Sequence, residues 1–251
     1  MFGIPPSDNA NRNEVKMDRP GWFYDELRHV GVDYDDPAQV AVYDQRHRKF
    51  RDYRKDAEAV VQRLGLATGD TVVDLGCGTG AFALHAAPFC KTIYAADVSR
   101  AMLVYCEQKA VERNLKNIVF CHGGFLTYKH AAEPVDAVVS TAVLHHLPDF
   151  WKYLGLLQVH HLLKPGGKFY LFDIVFPGTE KDIRTPIERW IKIMKEKVGG
   201  EFAAEVETHI RDEHSTYDWI MEGLLARAGF RIDQMEPGDG FGTTYLCTKA
   251  G

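Results

Sequence analysis

The sequence predicts an α/β protein built on a doubly wound, mostly parallel sheet. Three observations predict it. Between Thr71 and Val175 short apolar runs rich in β-branched residues alternate with helical segments, the rhythm of a parallel sheet with helices on both faces. The first run ends in Gly76-Cys77-Gly78-Thr79-Gly80, a strand-to-helix turn where a ligand meets the sheet edge. At the C-terminal end two apolar runs are separated only by the turn-rich Pro237–Gly242, so they should pair antiparallel.

The elements follow in order. Residues 1–20 mix Pro, Asn, Asp and Arg and are expected to be flexible. Residues 21–64 form a helical cap. Its first part concentrates Trp22, Phe23, Tyr24, Leu27 and Tyr34 in a polar stretch. Asp36-Pro37 then reads as a helix start, with Asp as N-cap and Pro at the first helical position. Tyr43, His47, Phe50, Ala57, Val61 and Leu64 mark one face of a helix running to about Leu64, and Gly65 ends it. Thr71–Leu75 is the first strand and Ala81–Phe89 the first core helix. Thr92–Asp97 is the second strand, followed by Ser99–Asn114, with Ser99 as cap. Ile118–His122 and Val135–Thr141 are strands three and four. Trp151–Leu163 is a helix closed by Lys164-Pro165-Gly166-Gly167, and Lys168–Val175 is the fifth strand. The rhythm then breaks into a helical insertion at about 176–215, with amphipathic segments Ile183–Lys197 and Glu201–Asp212. Tyr217–Ala228 is a further helix, and Phe230–Glu236 and Thr243–Thr248 form the hairpin. Residues 65–251 make the core.

Composition narrows the function. The 251 residues are 45% hydrophobic and 26% charged, the balance of a globular domain able to bury a core without staples. The net charge of −5, with no long basic tract, argues against a nucleic-acid partner. Five scattered cysteines with no Cys-x-x-Cys read as reduced thiols, and a cytoplasmic protein is expected. Met1–Pro20 lacks the apolar stretch of a signal peptide, and no run approaches the roughly 18 apolar residues of a membrane span.

The glycine loop carries the chemistry. Glycine lets the backbone take positive φ and approach a ligand with no Cβ in the way. Gly76-Cys77-Gly78-Thr79-Gly80-Ala81 also satisfies the dinucleotide pattern G-x-G-x-x-G/A, so a nicotinamide-dependent oxidoreductase is one reading. Asp97, ending the second strand, can accept from ribose hydroxyls under either reading. Asp74 inside the first strand, the alternating glycines and the terminal hairpin favour a different nucleoside ligand.

Val72–Gly80 resembles the first motif of class I S-adenosylmethionine-dependent methyltransferases. Tyr94–Ser99 resembles their second-strand motif, Asp136–Leu147 the fourth-strand motif, and Leu162–Lys168 the turn before the fifth strand. The resemblance runs in order from about Leu64 to Thr248 and is nearest to the small-molecule subgroup that includes ubiquinone and menaquinone methyltransferases. It implies a Rossmann-like fold and S-adenosylmethionine as cofactor. It also implies roles. Asp74, Gly76 and Gly78 would cradle the amino-acid end of the cofactor, with Cys77 in the same loop. Asp97 would bind the ribose, Val98 and Met102 would pack on adenine, and Ala142 and Val143 would lie beside the methionine portion. One departure stands out. The family usually places an acid after the third strand to accept from the adenine amine, and this chain has Gly123-Gly124-Phe125. Backbone groups of Gly124 and Phe125 would then serve, with Phe125 stacking on the ring.

The partner implied is a small organic methyl acceptor, and oligomeric state is left open. His146 and His47 are the candidate catalytic bases, and Tyr43 is expected beside the cofactor from the cap. His145-His146 suggests a metal pair, but adjacent histidines at a helix start should point apart. The related quinone enzymes that hold a metal carry a Glu-rich motif where this chain has Ala142–His146, so no metal is expected. The aromatics at 22–24 read as an anchor or as a wall for a flat acceptor. Trp190 and Met194 read as cover for the sheet. A silent S-adenosylmethionine-binding protein is a further alternative.

Overall fold

A computed structural model of the chain describes residues 20–28, 30–31, 33–178, 182–238 and 241–250; the flexible terminus expected at 1–20 lies, Pro20 apart, outside the described residues. Strands β1 (Thr71–Leu75), β2 (Thr92–Asp97), β3 (Ile118–His122), β4 (Val135–Thr141), β5 (Leu163–Phe176), β6 (Thr216–Tyr217), β7 (Phe230–Pro237) and β8 (Gly242–Lys249) form one sheet. Its order is β3-β2-β1-β4-β5-β8-β7, with the two-residue β6 beside the end of β5. Strands β1 to β6 pair in parallel, and β8 runs antiparallel between β5 and β7. The hairpin expected at the C-terminus is therefore present and inserted rather than appended.

The central strands are buried on both faces, the reason their sequences read as continuous apolar runs. Val73, Leu75 and Val138 face a core closed by Leu156 and Val159 of α5 (Asp149–Leu162) and by Met221 and Leu225 of α8 (Asp218–Arg227). Val72, Ile93 and Val139 face a second core. That one is closed by Ala57, Val60, Val61 and Leu64 of α2 (Tyr53–Leu64), by α3 (Ala83–Ala86) and by Leu103 of α4 (Arg100–Glu112).

The structure corrects several boundaries. The single helix expected from Pro37 to about Leu64 is two: α1 (Pro37–His47) and α2. Asp52 adopts an extended conformation and its carboxylate accepts from the Lys55 amide at 3.2 Å, so a second N-cap starts a new helix where the stripe seemed continuous. The Ala81–Phe89 helix shrinks to α3 and a 3-10 turn at Ala87–Phe89 that contains Pro88. Strand β5 starts at Leu163 and runs through the Pro-Gly-Gly turn, because Leu163 pairs with Val135 across a register shift. The insertion holds α6 (Arg184–Lys197) and α7 (Gly200–Asp212), as the periodicity predicts.

Helix α1 is fastened at a buried polar junction. The Thr79 hydroxyl donates to Asp44 Oδ1 at 2.5 Å, and Lys109 Nζ donates to Asp44 Oδ2 and to the Thr79 carbonyl, both at 2.7 Å. Cap, glycine loop and α4 thus share one ion pair with side chains only 8% and 13% exposed. On its other side Arg46 pairs with Glu201 and Glu205 of α7, and Lys49 donates to the Val198 carbonyl. Removing one member of a buried pair leaves an uncompensated charge. Asp44→Ala is expected to cost about 3–5 kcal/mol. At roughly 2–4 °C per kcal/mol for a chain of this size, that is about a 10 °C fall in melting temperature. A melt within 2 °C of wild type would refute the junction's role.

Candidate functional site

The site is built outward from the loop after β1. Gly76 and Gly78 both take left-handed φ, at 77° and 51°. Their surroundings differ. A Cβ on Gly76 would meet Val143 Cγ2 at 2.2 Å, so packing demands glycine there. A Cβ on Gly78 would meet nothing within 4 Å: it would project into open cavity. The loop is shaped from β2. The amides of Gly76 and Cys77 donate to the Ala96 carbonyl at 2.8 and 3.0 Å, and the Gly78 amide donates to Asp97 Oδ2 at 2.7 Å. Asp97 Oδ1 accepts from the Ser99 amide, while Ser99 Oγ caps α4 through the Met102 amide. Burial raises the Asp97 carboxyl above the ordinary range, and these two amides oppose that shift.

A cleft of about 710 Å³ opens beyond this loop. Of the residues expected at the site, Gly76, Gly78, Asp97, Val98, Met102, Gly124, Phe125, Ala142, Tyr43, His47 and His146 line it, and Asp74 and Cys77 do not. The Cys77 thiol faces Cys106 in the interior, so only its backbone belongs to the loop. Asp74 is 3% exposed beneath the loop, and its Oδ2 has no hydrogen-bond partner. Burial, with the neighbouring Asp97 charge, raises its carboxyl to about 7. Ala142 carries φ of 57° at the end of β4, a conformation that costs a non-glycine residue about 1–2 kcal/mol and tends to mark a ligand site.

Two expectations about the third-strand loop need correction. Phe125 is 3% exposed with its ring against Gly155 in the core, so it does not offer a stacking face. The Gly124 amide donates to Thr127 Oγ1 at 2.9 Å and its carbonyl accepts from the Tyr128 amide, so both backbone groups are engaged.

Beyond the loop the cleft is a chamber rich in aromatic and apolar side chains, with the charged Arg51, Asp56, Arg63, Lys197 and Glu205 on the same lining. Tyr170 and Phe172 of β5, Trp190 and Met194 of α6, Phe202 and Val206 of α7, and Phe241 line it. The insertion is therefore a wall of the site. The sequence does carry a signal for this: α6 has a strongly apolar stripe yet no buried residue, as befits a helix laid over a cavity. The Trp22–Tyr24 cluster divides: Tyr24 lines the cleft, while Phe23 meets the Trp151 ring edge-on at 4.8 Å and Trp22 remains 72% exposed, which makes those two an anchor for the arm.

The histidines occupy the junction between loop and chamber. His145 and His146 do not diverge: their ring centroids are 4.4 Å apart. They sit on a short 3-10 turn, Leu144–His146, where both rings turn towards the same carboxylate, Glu213. Together with Glu213 they hold candidate ligand atoms within 4.8 Å of one another. Both ring nitrogens of His145 face carboxylates: Nδ1 lies 2.5 Å from Asp173 Oδ1 and Nε2 lies 3.3 Å from Glu213 Oε2. Glu213 also pairs with His209 Nδ1. Burial alone would lower the His145 pKa, but Asp173 and Glu213 outweigh it and lift it to about 9. His146 takes the opposite course. Burial, and then the positive His145 beside it, lower it to about 3. Buried Lys152 donates to Asp149 at 2.8 Å and to the His214 carbonyl, fixing the segment that carries Glu213.

From the cap, the His47 ring stacks on Tyr43 at 3.9 Å and meets Phe202 at 5.5 Å. Burial lowers the His47 pKa to about 4 and raises that of Tyr43 to about 12. Tyr34, notable in the sequence only as one aromatic among several, touches both Tyr43 and His146 and links the two candidate bases.

Two measurements test this description. Gly78→Ala is expected to keep the fold within about 1–2 kcal/mol, the αL cost of a Cβ, whereas Gly76→Ala should be markedly less stable because it also strikes Val143; equal melting temperatures would contradict the two environments. The second concerns pH. The folded pKa of His145, about 9, lies above its ordinary 6.5. Its contribution is therefore complete below pH 6.5 and is lost as pH rises towards 9, by roughly 1–3 kcal/mol. Melting curves across that window should slope downwards for wild type and flatten for His145→Gln; parallel slopes would refute the ion cluster.

Residues 66–235 match a family model described as a methyltransferase domain. An uncharacterised methyltransferase of Geobacillus thermodenitrificans is 27% identical over 211 residues, 84% of this chain and 89% of that protein. A demethylmenaquinone methyltransferase of Lactococcus lactis is 27% identical over 199 residues, 76% of this chain and 77% of that protein. A solved S-adenosylmethionine-dependent methyltransferase from Clostridium acetobutylicum shares the fold with a TM-score of 0.64 at 15% identity, covering 85% of this chain and 98% of that one. A further S-adenosylmethionine-dependent methyltransferase, from Aquifex aeolicus, gives 0.60 at 19% identity over 86% and 99%. The family match spans the glycine loop itself, which removes the support for a nicotinamide enzyme. The chain belongs to the methyltransferase domain family and is an S-adenosylmethionine-dependent methyltransferase of class I architecture.

Proposed function

We propose that this enzyme methylates a small organic acceptor with a flat apolar body, held in the chamber between the sheet and the helices α1, α6 and α7. One observation carries the reading: a single cleft joins the glycine loop and Asp97 to an aromatic-rich chamber, with His47 and His146 on the same lining.

The residues fit the cofactor. The open space over Gly78 is a cradle that any Cβ would fill, and beneath the loop Asp74 Oδ2 is a buried polar atom with no hydrogen-bond partner. Asp74, Gly76 and Gly78 would hold the amino-acid end, with Cys77 contributing only backbone. Asp97 would accept from the ribose hydroxyls, and Val98 and Met102 would wall the adenine. Ala142 would lie beside the methionine portion and Tyr43 would close the cleft from the cap. When bound, the sulfonium supplies an electrophilic methyl group.

The chain's own work is alignment, exclusion of water and proton handling. His146 stays neutral because it is buried and because the proton on its neighbour His145, between Asp173 and Glu213, opposes a second charge. A neutral ring offers a lone pair to an O–H or N–H of the acceptor and orients it. His47, also neutral, faces the chamber from the cap and is the second candidate for that role. We read His145, His146 and Glu213 as a proton-holding network rather than a metal centre, since carboxylates already engage both nitrogens of His145. The Lactococcus relative, named for demethylmenaquinone, is consistent with an aromatic acceptor.

Formation of S-adenosylhomocysteine with an aromatic acceptor tests the reading; binding of cofactor without product from any acceptor would favour a silent binding protein. Asp97→Ala should weaken cofactor binding about tenfold to a hundredfold with the fold intact. His146→Ala should lower kcat at least about tenfold while cofactor affinity holds. Because His146 is neutral down to about pH 3, the kcat profile should show no acid limb near pH 6.5. Turnover lost to a chelator and restored by a divalent cation would overturn the proton-network reading.

A further inference from the structure

The loop after β3 presents a problem that another part of the chain resolves. Beside Val98 and Met102 the cleft needs an acceptor for a purine amine, and residue 124 has no side chain to provide one. Part of the backbone nearby is already engaged. The Gly124 amide and carbonyl serve Thr127 and Tyr128, and the Val98 carbonyl lies 2.9 Å from His122 Nε2. Into this gap comes Glu26 from the N-terminal arm. Its Oε2 lies 2.8 Å from the position a Cβ on Gly124 would occupy, so the carboxylate fills the space of the missing side chain. The Leu126 amide donates to both of its oxygens, at 2.9 and 3.0 Å. Glu26 also lines the cleft.

Anchors on either side hold it there. Upstream, Phe23 packs on Trp151 and the Tyr24 hydroxyl donates to the His146 carbonyl at 3.2 Å. Downstream, the Tyr34 carbonyl accepts from Ser99 Oγ at 2.7 Å, next to Asp97. A carboxylate has about four lone-pair directions, so the bond from the Leu126 amide does not by itself exhaust its capacity to accept. The absent side chain at 124 and the carboxylate that occupies its place are two halves of one arrangement: with a larger residue at 124, Glu26 could not sit where it does.

We propose that Glu26 accepts a hydrogen bond from the exocyclic amine of the cofactor's adenine, so that the N-terminal arm is itself part of the cofactor site. Cofactor binding and closure of the arm are then one event. A ligand that engages Glu26 holds Tyr24 against His146 and covers the cleft at the same time.

The test measures binding, not turnover. Calorimetry compares S-adenosylhomocysteine with its analogue bearing unsubstituted purine, which lacks the 6-amino group, on wild type, Glu26→Ala and Glu26→Gln. Wild type should prefer the amine about tenfold to a hundredfold, the range for a hydrogen bond to a charged group. Glu26→Ala should abolish that preference by weakening S-adenosylhomocysteine alone, and Glu26→Gln, which keeps an acceptor oxygen, should retain part of it. Equal weakening of both ligands would make Glu26 merely a pin for the arm and overturn the proposal. So would a preference that survives in Glu26→Ala, or tighter binding of both ligands, which would mark the carboxylate as an obstruction. Failure of wild type to bind S-adenosylhomocysteine would instead strike at the cofactor assignment on which the proposal rests.

Discussion

The Asp44–Lys109 ion pair, completed by Thr79, is the contact on which the geometry of the site depends. The sheet and its flanking helices make an open edge, as any doubly wound sheet does, and an open edge is exposed to water. What turns the edge into a cleft is a cap helix held at a fixed distance from the glycine loop. Apolar packing alone locates α1 poorly, because Val40 is its one buried apolar residue. A charge pair shielded from solvent behaves differently: it is strongly unfavourable when broken and tolerates little displacement. Because one partner is the glycine loop's own Thr79, the cap is registered against the loop and not merely against the domain.

Charge is arranged on the same principle at the other end. The cluster around His145 holds Asp173, Glu213, His209 and His146 within a few ångströms, mostly out of water. Two adjacent imidazoles in that setting cannot both be cations at modest cost. The proton favours the ring that has a carboxylate on each nitrogen, and burial first, then that neighbouring charge, keeps His146 neutral. Glu213 belongs to the insertion and Asp173 to the sheet, so the ion cluster on His145 is complete only when the insertion is docked.

The sequence discloses this molecule unevenly, for physical reasons. Short-range patterns are written locally: the strands, the glycine loop, the Ser99 cap, the terminal hairpin and the alternation that defines the sheet were all legible. So was the place of Asp97 beside the glycine loop, where it lines the cleft. Errors began where one local signal masked another, as when an apolar stripe interrupted only at Arg54 concealed the Asp52 cap. The deepest omissions are contacts between residues far apart in the chain. Asp44 with Thr79, His145 with Asp173 and Glu213, and Glu26 with Leu126 join positions 28 to 100 residues apart, and each residue alone reads as an ordinary surface charge or core histidine. Adjacent histidines also read as divergent from the sequence, whereas their rings lie 4.4 Å apart and share Glu213.

The arm shows how a departure from pattern becomes informative. Glycine at 124 looked like a loss, a missing acceptor in an otherwise complete set. The structure shows a vacancy of defined size that another segment fills, at the point where Leu126 offers an amide. A carboxylate on the loop itself would bind its ligand whether or not the cleft were covered. A carboxylate on the arm binds fully only when the arm is in place. Moving the acceptor from one to the other converts a static contact into a condition for closure, and a methyl-transfer site gains from that, since alignment of the sulfonium with its acceptor requires water to have left.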